Sequence, residues 1–422
     1  MKATAMNRPT SAFVHYSAPP IIGGVEAVLH AHANVFLQSS YPVMIIVGRG
    51  EQTALPLNTE LVLIPEIDSL HPQVLRLSAA LEQGQVLPDF DAMVTRLAVN
   101  LSQVLSRFDH VIVHNVFTKH FNLPLTAALH RLLDEGVIRH CIAWCHDFTW
   151  SSPTSCSKVH PGYPWDLLRT YRSDVTYVVV SQQRQHTLAS LLNCPPDRIH
   201  VVYNGVDPTV LFGLSPVGCD LINQLRLLEC DLVLLMPVRV TRAKNIEYAL
   251  QVMAALKARG CRSKLIITGP PDPHDIDSIN YFRYLQGLRL QLNVEDEARF
   301  IFESSLNEPL FIDTQTVGDL FRVSDIMFMP SHREGFGMPV LEAGLTGLLV
   351  MCTDVPAAKE IGGEDLTLID LTDDPVHTAD RILDWSQHSG THKLRCRIRQ
   401  NYSWPAIFHR EIEPLLIGTP SI

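Results

Sequence analysis

Ser331-His332-Arg333-Glu334-Gly335-Phe336-Gly337-Met338-Pro339-Val340-Leu341-Glu342 gathers two carboxylates, two glycines and a proline in one short stretch. It follows the apolar run Asp325–Pro330, so it reads as strand, glycine loop and helix. Pro339 suits the first helical position, where its fixed φ and missing N–H cost nothing. The backbone from Gly335 through Phe336, Gly337, Met338 and Pro339 to Val340 can then line an anion pocket, assisted by the helix dipole. Glu342 is expected in the first helical turn, where a carboxylate can take two hydrogen bonds from a vicinal diol. Glu334, about one sugar's width away, can meet a second hydroxylated group. Two carboxylates beside an anion require cations, and Pro237-Val238-Arg239-Val240-Thr241-Arg242-Ala243-Lys244-Asn245 supplies them. Arg239 offers a planar fork and Lys244 a mobile point charge, a pairing suited to a diphosphate. Lone Lys and Arg residues are mostly solvated surface charges; a place just after the apolar run Leu232–Met236 sets these apart.

Such loops need parallel strands behind them, and short apolar, β-branched runs alternate with helical patterns along the whole chain. One series comprises Ala12–Tyr16, Val43–Val47, Leu61–Ile64, His110–His114, Cys141–Cys145, Thr176–Val180 and His200–Val202. A second comprises Leu232–Met236, Lys264–Thr268, Phe300–Phe302, Ile326–Met329, Leu348–Cys352 and Leu366–Ile369. Asn204-Gly205-Val206-Asp207-Pro208 separates them with turn chemistry, Gly205 being free to take φ > 0. The expected domains are 1–207 and 208–401, with a linker and a helix opening the second. Both are Rossmann-like, and ligands of such sheets bind beyond the strand C-termini. A length of 422 residues agrees with two hydrophobic cores.

A formal charge of −10 with no basic stripe excludes nucleic acid as a natural partner. No apolar run is long enough for a signal peptide or a transmembrane segment, so a soluble, cytoplasmic protein is expected. The nine cysteines lack any CxxC spacing and read as small buried hydrophobes. No histidine spacing matches a metal site, so no metal or other cofactor is expected. The first strand is not followed by GxGxxG, which disfavours a dinucleotide dehydrogenase.

In this order the pieces resemble the retaining glycosyltransferases of family 4, across nearly the whole chain. The resemblance rests on Gly23-Gly24-Val25 after the first strand, Asn204-Gly205-Val206-Asp207, Arg239 with Lys244-Asn245, and the E-x7-E pair Glu334 and Glu342. It implies a GT-B fold: α/β, with two facing Rossmann-like domains, an interdomain cleft, and a C-terminal helix over 402–422 that packs back on the first domain. It implies that Arg239 and Lys244 bind the donor diphosphate, that Glu342 holds the ribose and that Glu334 contacts the sugar. Gly23 and Gly24 would let the first loop approach the phosphate. His146, in Trp144-Cys145-His146-Asp147, stands where family members often place a histidine against the donor sugar. His114 ends the preceding strand and is expected on the acceptor side, as is Trp150, whose loop over 151–164 can offer aromatic faces to a sugar. The implied reaction is metal-independent, front-face transfer of a hexose from a UDP-glucose or GDP-mannose type donor to a glycan, lipid-linked or small polar acceptor. The alternative is a nucleotide-sugar epimerase.

Overall fold

Residues 8–271, 276–303 and 312–418 are described by a computed structural model. They form two units, Met1–Val206 together with the chain from Tyr402 onward, and Asp207–Asn401.

Seven strands build the N-terminal sheet: β1 (Ser11–Val14), β2 (Val43–Val47), β3 (Glu60–Leu63), β4 (His110–His114), β5 (Cys141–Cys145), β6 (Val175–Val179) and β7 (Ile199–Val201). Their order is β3-β2-β1-β4-β5-β6-β7, and every neighbouring pair is parallel. The strands lie within one residue of the runs read from the sequence, apart from β1, which ends at Val14. Successive side chains point to opposite faces. Val14, Ile46, Val113, Ala143 and Tyr177 pack beneath the helices Pro72–Leu81, Phe90–Leu105 and Leu123–Asp134. Phe13, Ile45, Ile112, Trp144 and Val178 face the other way, onto the helix Gly24–Gln38.

One helix does not cover seven strands, and the end of the chain completes that second face. Trp404, Ile407, Phe408, Ile412 and Leu416 are buried there, with Phe408 edge-on to Phe36 at 5.1 Å. Glu413 accepts from the Tyr41 hydroxyl at 2.7 Å, and His110 Nε2 lies 2.8 Å from the Leu416 carbonyl. Gly205 is needed here for space and not for φ, which is not positive. A Cβ on it would lie 2.7 Å from the Trp404 ring.

The C-terminal sheet holds β8 (Leu232–Met236), β9 (Ser263–Ile267), β10 (Ala298–Phe300), β11 (Ile326–Met329), β12 (Leu349–Thr353) and β13 (Thr367–Ile369). Its order is β10-β9-β8-β11-β12-β13, again parallel throughout. Helices Ile246–Ala258 and Pro375–His388 cover one face. Pro216–Gln224, Thr314–Val323 and Met338–Thr346 cover the other. Both sheets are doubly wound, with strand order reversing between β1 and β4 and between β8 and β11, the switch points at which such folds take ligands. The segment read as a linker carries a short helix, Pro208–Leu211, before Pro216–Gln224. Of the nine free cysteines, Cys141, Cys145, Cys230 and Cys352 are buried, whereas Cys156 is exposed, so that reading holds only in part.

The opposite, N-terminal edge of the second sheet is closed by charge. Asp325, just before β11, accepts from the Val233 N–H at 2.9 Å and pairs with Arg399 at 3.3 Å, both side chains being buried. Burial raises the Asp325 pKa, but His392 and the charges of Arg399 and Arg395 outweigh it and hold the carboxyl below its ordinary value. A depressed carboxyl stabilises the fold above its unfolded pKa of about 4, and that stability is lost as pH falls through the folded value. Replacing Asp325 with Ala strands Arg399 without a counter-charge and is expected to cost about 3–5 kcal/mol in urea unfolding at pH 7. The deficit should begin to shrink below about pH 4, where the unfolded chain takes up the proton, and vanish only as pH falls through the lower value of the folded carboxyl.

Candidate active site

The loops following β8 and β11 meet at the switch point of the C-terminal sheet. Lys244 Nζ donates to both carboxylate oxygens of Glu334, at 2.7 and 2.6 Å. The His332 N–H donates to the Ala243 carbonyl at 2.9 Å, joining the same two loops through the backbone. The pair is mostly sheltered, the side chains being 20% and 7% exposed. An ammonium has three donors, so one remains for a further anion. Arg239 is exposed, and its guanidinium makes no hydrogen bond or ion pair among the described residues. Arg242 is committed elsewhere, stacked over the Tyr281 ring at 5.0 Å.

What fixes Arg239 is a neighbour that sequence reasoning missed. The Gly269 N–H donates to the Val238 carbonyl at 3.0 Å, and the Val240 N–H to the Pro270 carbonyl at 3.3 Å. The loop after β9 thus runs in contact with the loop after β8. A Cβ on Gly269 would lie 2.6 Å from the Val238 oxygen and 2.8 Å from Arg239 Cα. The signal available beforehand was only a glycine at a strand end.

The helix after β11 starts one residue earlier than expected. Gly337 takes φ 88°, a left-handed turn that favours glycine, and the helix Met338–Thr346 begins directly after it. Pro339 is therefore second. Glu342 falls beyond the first turn, which holds no acidic residue. Its carboxylate is half-buried and unpaired among the described residues. Phe336 and Met338 are exposed, whereas Gly337 and Val340 are buried. Gly335 faces open space, so a side chain there would meet nothing.

In the N-terminal unit, His114 ends β4 and His146 follows β5. His114 is 0% exposed, which corrects its expected place against an acceptor. It shares a strand face with Ile112 and points into the core, where its ring is 5.9 Å from Phe13 and 5.8 Å from Trp144. The period of two already implied that direction. His114 Nδ1 lies 3.3 Å from His146 Nε2. The backbone at His146 is held by Asn115, whose Oδ1 accepts from the His146 and Asp147 N–H groups at 2.8 and 3.1 Å. Asn115 adopts φ 62°, a left-handed conformation open to few residues besides glycine and asparagine.

Gly23 is extended, and Gly24 opens the first helix. Glu26 folds back beside Gly23 and accepts from Ser17 Oγ at 2.7 Å, so a carboxylate already stands at this helix start. Trp150 donates Nε1–H to the Trp165 carbonyl at 3.2 Å and carries Arg169 over its ring at 4.0 Å. Its loop is bound down by Lys158 on Glu82 at 2.9 Å. One face of the indole is therefore already taken.

The doubly wound parallel sheet, an α/β arrangement that takes ligands at its switch point, occurs twice in the chain, and the second copy carries a cation–carboxylate pair and a glycine-started helix there. Residues 22–210 match the family described as Glycosyltransferase Family 4, and residues 220–402 the family described as Glycosyl transferases group 1. The chain belongs to these group 1, family 4 glycosyltransferases. An uncharacterized glycosyltransferase of Methanocaldococcus jannaschii is 28% identical over 57% of this chain and 60% of its own length. A mannosylglucosylglycerate synthase of Petrotoga mobilis is 23% identical over 60% of this chain and 61% of its own. The matches thus span about three-fifths of these relatives. A glycosyltransferase structure from Rickettsia africae aligns over 98% of this chain and 100% of its own, at 16% identity and a TM-score of 0.37. Among the described residues no helix is long and apolar enough to cross a membrane.

Two predictions follow from the geometry. Gly269→Ala should force the Arg239 backbone aside and lower stability by about 1–3 kcal/mol, read by chemical denaturation. Burial, aided by the neighbouring His15, lowers the His146 pKa to about 3, and burial likewise holds His32 at about 3. These rings stay neutral when folded but take protons in the unfolded chain below about pH 6.5. Their contribution is therefore whole above that pH and is lost progressively as pH falls toward 3. The melting temperature should drop between pH 7 and 5, and His32→Phe should flatten the drop.

Proposed function

We propose that the protein is a retaining, metal-independent hexosyltransferase that moves a hexose from a nucleoside diphosphate sugar to an acceptor hydroxyl. The observation that carries this reading is the meeting of Lys244, Glu334, Arg239 and the Gly337 helix start around one switch point. Arg239 and the free donor of Lys244 would hold the diphosphate and stabilise the charge that develops as it leaves. Backbone N–H groups at the helix start would add to that field. Glu342, with no side-chain partner among the described residues, would take the ribose diol. Glu334 would serve the sugar while keeping Lys244 in place. His146 is assigned, by the family pattern, to the sugar end of the donor.

Retention with no assigned carboxylate nucleophile calls for attack on the face from which the diphosphate departs. The leaving phosphate oxygen would accept the proton of the incoming hydroxyl, the glycosidic bond to phosphate would break, and the new one would form on the same side. A relative named as a mannosylglucosylglycerate synthase supports a hexose donor and a small polar acceptor.

Lys244→Ala and Glu342→Ala are expected to lower the transfer rate by about 10²–10³-fold; Glu342→Ala should leave the melting temperature of the apo protein within a few degrees, whereas Lys244→Ala strands the sheltered Glu334 carboxylate and should lower it further. The assay is product formation from UDP-glucose and GDP-mannose with a panel of sugar and polyol acceptors, preceded by a thermal-shift screen of UDP and GDP. Undiminished turnover in both variants would overturn the site. An isomer formed from the donor alone would identify an epimerase instead.

A further inference from the structure

Beyond the end of β4 one cation is left over. The chain from Asn115 to His120 is stitched to the loop after β5. Thr118 Oγ1 donates to the Asp147 carbonyl at 2.7 Å, and the Thr149 N–H to the Thr118 carbonyl at 2.9 Å. The His120 N–H donates to Thr149 Oγ1 at 3.1 Å. Lys119 stands in the middle of this seam, its N–H donating to the Asn115 carbonyl at 3.0 Å. The asparagine whose side chain holds the His146 backbone therefore holds that of Lys119 as well. The Lys119 ammonium lies over the Phe121 ring at 4.8 Å, and that ring meets Tyr16, two residues beyond β1, at 5.9 Å. Lys119 is thus set beside the switch point between β1 and β4, the edge at which such a sheet takes ligands.

The ammonium is half-buried and makes no hydrogen bond or ion pair among the described residues. Arg184 takes Asp147 at 2.9 Å, and Lys158 takes Glu82 at 2.9 Å. His120 Nε2 lies 3.8 Å from the same Glu82 carboxylate. Lys119, Lys158 and Arg184 thus face two carboxylates that already have partners. Burial lowers the Lys119 pKa; Asp147 opposes this, and Arg184 and Lys158 reinforce it. The Phe121 ring offsets only part of the lost hydration. A sheltered ammonium without a counter-charge is costly, and an anion arriving from solution would relieve that cost.

We infer that Lys119 receives a negatively charged group of the acceptor, a carboxylate or a phosphate ester, so that an anionic sugar or polyol is glycosylated in preference to its neutral counterpart. The inference rests on the transferase reading and narrows its acceptor class. An ammonium suits either group, being a compact point charge with three donors and no need of a planar partner. The donor diphosphate has cations of its own, Arg239 and Lys244, in the other unit.

The test uses the full chain and two acceptor series whose members differ in one terminal group. These are glycerol, glycerate and glycerol 3-phosphate, and glucose, glucuronate and glucose 6-phosphate. Initial transfer rates from UDP-glucose and GDP-mannose are measured for the wild type, Lys119→Gln and Lys119→Arg. The wild type should prefer the anionic members, carboxylate and phosphate being told apart by which of the two is used better. Lys119→Gln should raise the KM of the anionic members about 10–100-fold, the usual range for a hydrogen bond to a charged group, with a far smaller effect on the neutral ones. Lys119→Arg, which keeps the charge, should retain most of the preference. Neutral members used as well as anionic ones would overturn the inference. So would an anionic preference that survives in Lys119→Gln, or equal losses for both kinds of acceptor. A second readout needs no turnover. In protein with carbon-13 methylated lysines, the Lys119 signal, assigned by its absence from Lys119→Gln, should move with glycerol 3-phosphate or glycerate and not with glycerol. A signal that no anion moves would overturn the inference too. Transfer to no member of either series would count against the proposed function instead, and the lysine signal would still decide whether Lys119 takes an anion.

Discussion

The ion pair between Lys244 and Glu334 joins two loops that are 90 residues apart in the chain. That tie, with the His332–Ala243 backbone bond beside it, holds the loops after β8 and β11 together. A parallel sheet covered on both faces has no room for charge along its strands, so polar side chains must emerge where strands end. β8 and β11 are neighbours whose connections leave in opposite directions, and the space between their ends is where a ligand can approach without meeting a crossover helix. The pair holds both loops at that opening and shelters a cation that still has a donor to spare. Arg239 is placed by a different device, the close passage of Gly269 beneath it.

The N-terminal unit uses its strand ends otherwise. Its polar groups at β4 and β5 are imidazoles with lowered pKa values, locked by one another and by Asn115. Burying His32 with both ring nitrogens unpartnered is costly, and the same holds for the Trp144 N–H. That cost is tolerated in a layer where Phe13, Trp144, Trp404 and Phe408 bury extensive aromatic surface. The end of the chain contributes two of those four rings, and Trp404 sets its ring 5.1 Å from that of His32.

Much of this was legible before any coordinates. The alternation of apolar runs and helical periods located all thirteen strands to within two residues, because a strand buried on both faces must be continuously apolar. The loops after β8 and β11 were legible because glycine, proline and charge break those runs abruptly. What went astray had physical reasons. Gly205 reads as a turn glycine, yet it makes room for an indole from the far end of the chain. Glu342 falls one position further into the helix than expected, past its first turn, because the left-handed turn at Gly337 starts the helix at Met338. His114 ends its strand as a surface ligand would, but it faces inward with Ile112.

Local pattern thus governs element type, order and the identity of the loops, since each depends on neighbours a few positions away and on the periods of 2.0 and 3.6 residues. Partnership does not follow from pattern. That Lys244 holds Glu334, that Gly269 props Arg239, that His114 meets His146 and that Trp404 closes over Gly205 all require segments far apart in sequence to be brought within a few ångströms. Only packing of the two sheets and their helices does that, because a hydrogen bond or a steric limit exists between atoms in space and leaves no mark on the intervening chain.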